Sequence, residues 1–224
     1  MRVGVVGVQG AVSEHVEAAR RAIAEGGFPG DAVAIRHVED LAKADALVIP
    51  GGESTTISKL LVKFGLFDDI VRRAHEGMPV LGTCAGCILL AKEGDNQVTK
   101  TETRLLGLMD MAVDRNAFGR QRESFEADVE VSVLDRPFRG VFIRAPEITR
   151  TWGSCTPIGK VGGKIVLARQ DALVGSALCS WNSFIARSPP HCSFLTRTVL
   201  NSFFFSRAMI SSSSDLLYLH LLHT

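Results

Sequence analysis

Between residues 2 and about 177, short apolar runs alternate with helical segments, and this alternation restricts the fold more than any other feature. Residues 3–8, 32–38, 46–50 and 79–81 read as strands. Residues 13–25, 55–64, 67–75 and 88–92 read as helices, and further strands are expected at 127–133, 140–144, 164–168 and 172–177. Strands separated by helices of about ten residues predict an α/β fold, a doubly wound, largely parallel sheet with helices on both faces. Sites in such sheets form at the carboxyl ends of the strands. The segments after residues 50 and 83 would therefore share one edge.

Composition narrows the class. A chain of 224 residues, 46% hydrophobic and with 21 glycines, suits one α/β domain with an extension. Its net charge of +1 offers no basic field for nucleic acid. No run of eighteen apolar residues is present to span a membrane. The first eight residues read as a first strand rather than a targeting signal. Five cysteines show no disulfide-framework spacing. Cys84 and Cys87 form a C-x-x-C, but no second pair accompanies it, which argues against zinc. No metal or cofactor is expected, and a reducing, cytoplasmic setting is.

Gly82-Thr83-Cys84-Ala85-Gly86 places one cysteine between two glycines at a strand-to-helix corner. The glycines permit a turn too tight for a Cβ, which exposes the sulfur above the sheet edge as in a nucleophile elbow. The following helix directs its N–H groups and positive dipole end at that sulfur, favouring thiolate. The competing reading is a small buried residue in a turn. Pro50-Gly51-Gly52-Glu53-Ser54-Thr55-Thr56 sets a Gly-Gly turn before a helix start. It reads either as an oxyanion-holding turn or as a plain strand–helix connection capped by Ser54 or Thr55. Arg115, in a dense polar and aromatic segment, and Arg144, ending an apolar strand, are candidate carboxylate anchors or surface residues. His15 reads as a plain helix-surface histidine.

From Leu178 onward the composition changes. The last 47 residues contain no glycine, lysine or glutamate, but ten serines, eight leucines and five phenylalanines. No helical or strand period persists there. The segment reads as an aberrant tail, frameshifted or from an alternative transcript end, or else as an apolar extension packed on a partner. Its local choices do not agree with one another, which favours the first.

Six segments occur in order: Gln9-Gly10-Ala11 with Glu14-His15, P-G-G-E-S-T-T, G-T-C-A-G, R-N-x-F-G-R-Q, S-F-E-A-D and F-I-R-A-P. Together they resemble the glutaminase subunit of pyridoxal 5′-phosphate synthase, a class I glutamine amidotransferase, from Val3 to about Ala177. Another class I glutaminase fits the G-E-S-T-T and R-N-x-F-G segments poorly. The resemblance implies hydrolysis of L-glutamine to glutamate and ammonia, the ammonia passing to a partner synthase that assembles pyridoxal 5′-phosphate from a pentose phosphate and a triose phosphate. It implies Cys84 as the nucleophile forming a thioester, with Gly51 and the N–H of Ala85 in the oxyanion hole. Gly52, Glu53, Ser54, Arg115, Ile143 and Arg144 would bind glutamine. Residues 9–15 would face the synthase, at the mouth of an ammonia tunnel.

One element of the family pattern is missing. The family draws its base from a Phe-His-Pro-Glu segment after the last strand, where the glutamate holds the histidine. In this chain Leu178, Cys179, Ser180 and Trp181 stand there. The last glutamate is Glu147, and no histidine lies between His75 and His191. None of His191, His220 and His223 has an acidic residue two positions on. Turnover is therefore expected to be strongly impaired, the alternative role being that of a non-catalytic subunit that binds the synthase.

Overall fold

In the computed structural model, residues 1–115, 125–132, 137–143 and 145–178 are described. Several expectations fall wholly or partly outside them: Arg144, the segment after Arg115, the ends of the strands expected at 127–133 and 140–144, and the tail from Cys179. The amino-terminal half runs β1 (Arg2–Val6), α1 (Val12–Glu25), β2 (Asp31–Ile35), α2 (Val38–Ala42), β3 (Ala46–Ile49), α3 (Ser54–Lys63) and α4 (Leu66–His75). The elbow follows as β4 (Val80–Thr83) and α5 (Ala85–Leu90). Then come β5 (Ala91–Gly94), α6 (Asn96–Lys100), β6 (Met109–Asp114), β7 (Phe125–Val131) and β8 (Phe138–Phe142). The last four strands are β9 (Glu147–Thr151), β10 (Thr156–Val161), β11 (Lys164–Gln170) and β12 (Leu173–Ser176).

The sheet order is β2-β1-β3-β4-β12-β11-β10-β7-β8. Its first five strands pair in parallel, and the remainder of this path is antiparallel. The parallel half is the one expected; the sheet as a whole is mixed. Strand periodicity explains why both its faces are covered. Val3, Val5, Ala46, Val48, Leu81 and Val174 pack in one cluster with Ala19 and Ile23 of α1. Val6, Leu47, Ile49 and Val80 belong to the other, with Ile57 and Leu61 of α3, Ile70 of α4 and Leu89 of α5. Strands buried on both sides carry continuous apolar runs, as these do. Each large aliphatic side chain so buried contributes roughly 1.5–3 kcal/mol.

A third cluster packs Val129, Val131, Phe142, Val166 and Leu167 with Ala177 and Leu178. The chain therefore continues in packed core one residue past the compositional change. The helix expected over 88–92 ends earlier: Leu90 is its last residue, and Ala91 turns extended to pair with Met109 of β6.

Candidate active site

Parallel pairing brings the expected segments to one edge. Ile49 of β3 stands opposite Gly82 of β4, so Gly51 and Cys84 both lie two residues beyond a matched pair. On the other side of β4, Ser176 of β12 stands opposite Thr83, and the Cys84 N–H donates to the Ser176 carbonyl at 2.7 Å. Cys84 has φ 48° and ψ −102°, a left-handed conformation that a side chain adopts only at a cost. Such strain is of order 1–3 kcal/mol and persists only where the surroundings enforce it.

Here the enforcement comes from two close approaches. A Cβ on Gly82 would meet the Gly86 carbonyl, and a Cβ on Gly86 would meet the carbonyl of Ile49. With both absent, α5 sits directly on β3 and β4, and all six of its residues are buried. Cys84 itself remains partly exposed, while Cys87 is fully buried. Burial pushes the Cys87 thiol up to about 12, with Cys155 adding to the effect. The two cysteines of the C-x-x-C thus have different environments, and Cys87 is held protonated.

Glu53 organises the neighbouring turn. It caps α3, its carboxylate accepting from the N–H of Thr55 at 3.1 Å and of Thr56 at 2.6 Å. Burial pushes this carboxyl up, but the hydrogen bonds from Thr56 and Thr55 outweigh it, and its pKa lies below the usual carboxylate range. The cap is therefore Glu53 rather than Ser54 or Thr55. Arg115, just past β6, donates to Glu53 at 3.0 Å and to the hydroxyls of Thr55 and Thr101 at 3.3 and 3.2 Å. These bonds occupy three of the five guanidinium N–H groups. Ser54 Oγ is buried and is the one such side-chain polar atom without a hydrogen-bond partner among the described residues. Ile143 is 50% exposed, just beyond β8.

The loop at residues 9–11 holds the turn from the opposite side. Gln9 Oε1 accepts from the Glu53 N–H at 3.0 Å, and the Ala11 N–H donates to the Gly51 carbonyl at 3.0 Å.

His15 is not the surface residue expected. It is 3% exposed, with Nδ1 2.6 Å from the Ala11 carbonyl and Nε2 2.9 Å from Thr83 Oγ1. The physical reason is helix phase. Ala18, Ala19, Ala22 and Ile23 form the buried stripe of α1, and His15 lies three and four residues before its start. That spacing was the signal available in the sequence. Burial pushes the His15 ring below the ordinary histidine range, outweighing the Ala11 bond and the Glu14 charge.

Linkage gives the sign of the consequence. An unfolded histidine takes up its proton near pH 6.5, before the folded one does. Stability is thus full above about pH 6.5 and is lost as pH falls through the lowered folded value. Urea midpoints are expected to be lower at pH 5.5 than at 7.5, and His15→Gln should flatten part of that slope.

The profile of the SNO glutamine amidotransferase family matches residues 5–182. The pyridoxal 5′-phosphate synthase subunit PdxT of Methanosarcina mazei is 51% identical over 177 residues, covering 79% of this chain and 89% of its own. The same-named protein of Archaeoglobus fulgidus is also 51% identical over 177 residues, with the same coverage of both chains. Among solved structures, a glutamine amidotransferase superposes with a TM-score of 0.73 at 37% identity, covering 89% of this chain and 98% of that one.

Proposed function

The chain belongs to the SNO glutamine amidotransferase family, and from that premise we propose that it is the glutaminase subunit of a pyridoxal 5′-phosphate synthase. Its substrate is L-glutamine, and its partner is the synthase subunit that uses the ammonia. The single observation that carries this reading is the strained corner at Cys84, a partly exposed thiol held at φ 48° beside the Gly51 turn. Cys84 is the nucleophile, attacking the side-chain amide carbon to form a thioester as ammonia departs. The carbonyl oxygen takes negative charge in that step, and the N–H of Ala85 and the Gly51–Gly52 peptide region are its donors. Gly52, Glu53, Ser54, Arg115, Ile143 and Arg144 bind glutamine. The unpartnered Ser54 hydroxyl supports a polar ligand here, because a buried hydroxyl without a partner is costly.

A second reading rests on the missing Phe-His-Pro-Glu segment: a subunit that binds the synthase and glutamine without turnover. Both readings share the glutamine site. A chloroketone analogue of glutamine tests it, since the thiolate displaces chloride and leaves a permanent mark. Peptide mass spectrometry should find the label on Cys84, L-glutamine should protect against it, and Cys84→Ala should not be labelled. Labelling that ignores L-glutamine would refute the proposed site.

A further inference from the structure

We propose that His15 is a positioning residue that holds the Gly51–Gly52 turn in register with the Cys84 corner. The proposal rests on the glutaminase reading above and adds a residue from α1 to the site. A carbonyl oxygen can only accept, so the 2.6 Å contact with Ala11 places the hydrogen on Nδ1. In the neutral ring Nε2 is then an acceptor, and the Thr83 hydroxyl donates to it at 2.9 Å. Thr83 is wholly buried and immediately precedes Cys84. Both ends of the imidazole are therefore committed, one to β4 and one to the loop at residues 9–11.

That loop is in turn fastened to the turn beyond β3. Ala11 donates to the Gly51 carbonyl, and Gln9 accepts from the Glu53 N–H. Gly10 lies between them at φ +105°, where a Cβ would run into the Gly51 carbonyl oxygen. Sheet pairing ends at Ile49, so it aligns β3 with β4 without setting the peptide planes that follow. The hydrogen bonds of the loop hold those planes. His15 closes the circuit, because its side chain links that loop to the strand that carries the nucleophile. Its work lies in the relative placement of the turn and the thiol, not in exposing the thiol.

This separates two rates. The chloroketone analogue of glutamine places its ketone oxygen where the amide oxygen belongs, and its reaction depends on the turn. Iodoacetamide needs only the thiol. His15→Asn keeps a donor to Ala11 and loses Thr83, whereas His15→Gln puts an acceptor where Nε2 stood. In the full chain, His15→Asn and Thr83→Val should slow analogue labelling of Cys84 about tenfold, the effect expected for one buried hydrogen bond. Iodoacetamide rates should stay within about twofold. His15→Gln should recover most of the analogue rate. Thr83→Val nearly conserves volume and carries the test should His15→Asn not fold. Unchanged analogue labelling in Thr83→Val, or a parallel fall in both reagents, would overturn the role of His15 alone. A parent chain whose Cys84 reacts with iodoacetamide but not with the analogue would overturn the glutamine site and this proposal together.

Discussion

Replacing Leu178, Cys179, Ser180 and Trp181 by Phe, His, Pro and Glu should raise glutamine-dependent ammonia release on the order of 10³-fold or more in the presence of the synthase. Loss of the base in a triad enzyme costs several orders of magnitude, with a residue of catalysis surviving from the oxyanion donors. A thiol needs its proton removed before attack, and the departing ammonia needs one supplied. Of these four positions the described residues include Leu178, two residues beyond the strand that pairs with that of Cys84. Ser176 stands opposite Thr83 and accepts from the Cys84 N–H, and Leu178 donates back to the Ser176 hydroxyl at 3.3 Å. Position 179 is three residues beyond Ser176, a span of at most about 10 Å of chain. Leu178 is buried among Val129, Phe142 and Val166, so a phenylalanine there has an apolar setting. The Cys179→His and Trp181→Glu substitutions together should carry most of the gain, and either alone little, because the glutamate holds the ring that does the chemistry. A coupled assay of ammonia release reads the result.

Gly86→Ala is expected to be the most damaging single substitution at the corner, about 3 kcal/mol, in the range of severe overpacking. Its Cβ would strike the Ile49 carbonyl oxygen, with the carbonyl carbon at 2.9 Å and Ile49 Cβ at 3.1 Å. These are mostly main-chain atoms of a central strand, which cannot rotate aside. Relief would require α5 to lift from β3, yet every residue of α5 is buried. The thermal midpoint should fall by roughly 6–12 °C for a chain of this size. Gly77→Ala is the comparison. That glycine has φ +92° but nothing within 4 Å of a Cβ, so it should cost only the left-handed penalty, about 1–2 kcal/mol. Iodoacetamide labelling of Cys84 should change with Gly86→Ala and stay level with Gly77→Ala.

Much of this architecture is legible in the sequence because the parallel strands are buried on both faces and therefore read as unbroken apolar runs. β1, β3, β4 and the helices α1, α3 and α4 fall within a few residues of where those runs place them, whereas the five-residue α2 is too short to show a period. The strands outside the five-stranded parallel path are harder. β5 is exposed at Lys92, Glu93 and Gly94, and its neighbour in sequence is a helix whose apolar pattern runs straight into it. β10 contains Pro157 and Gly159 and breaks register at both, so its residues carry the marks of a loop. β6 is different: Met109, Met111 and Val113 alternate with half-buried residues, a period of two that is there to be read. At the site, the elbow and the Gly-Gly turn are visible because glycine at fixed spacing has few other uses. Helix phase signals the burial of His15, but not its pairing with Thr83, which is 68 residues away and has no local pattern to disclose it.

A Cys84 nucleophile without the histidine and glutamate of its family should leave L-glutamine almost unhydrolysed. The most direct measurement is ammonia release from L-glutamine by the unaltered chain with its synthase, set beside the Cys84→Ala variant. Release should lie near that of the variant, about a thousandth or less of the rate with Phe, His, Pro and Glu at positions 178–181. Fast release that Cys84→Ala abolishes, at the roughly 1–10³ per second of ordinary enzymes, would contradict it.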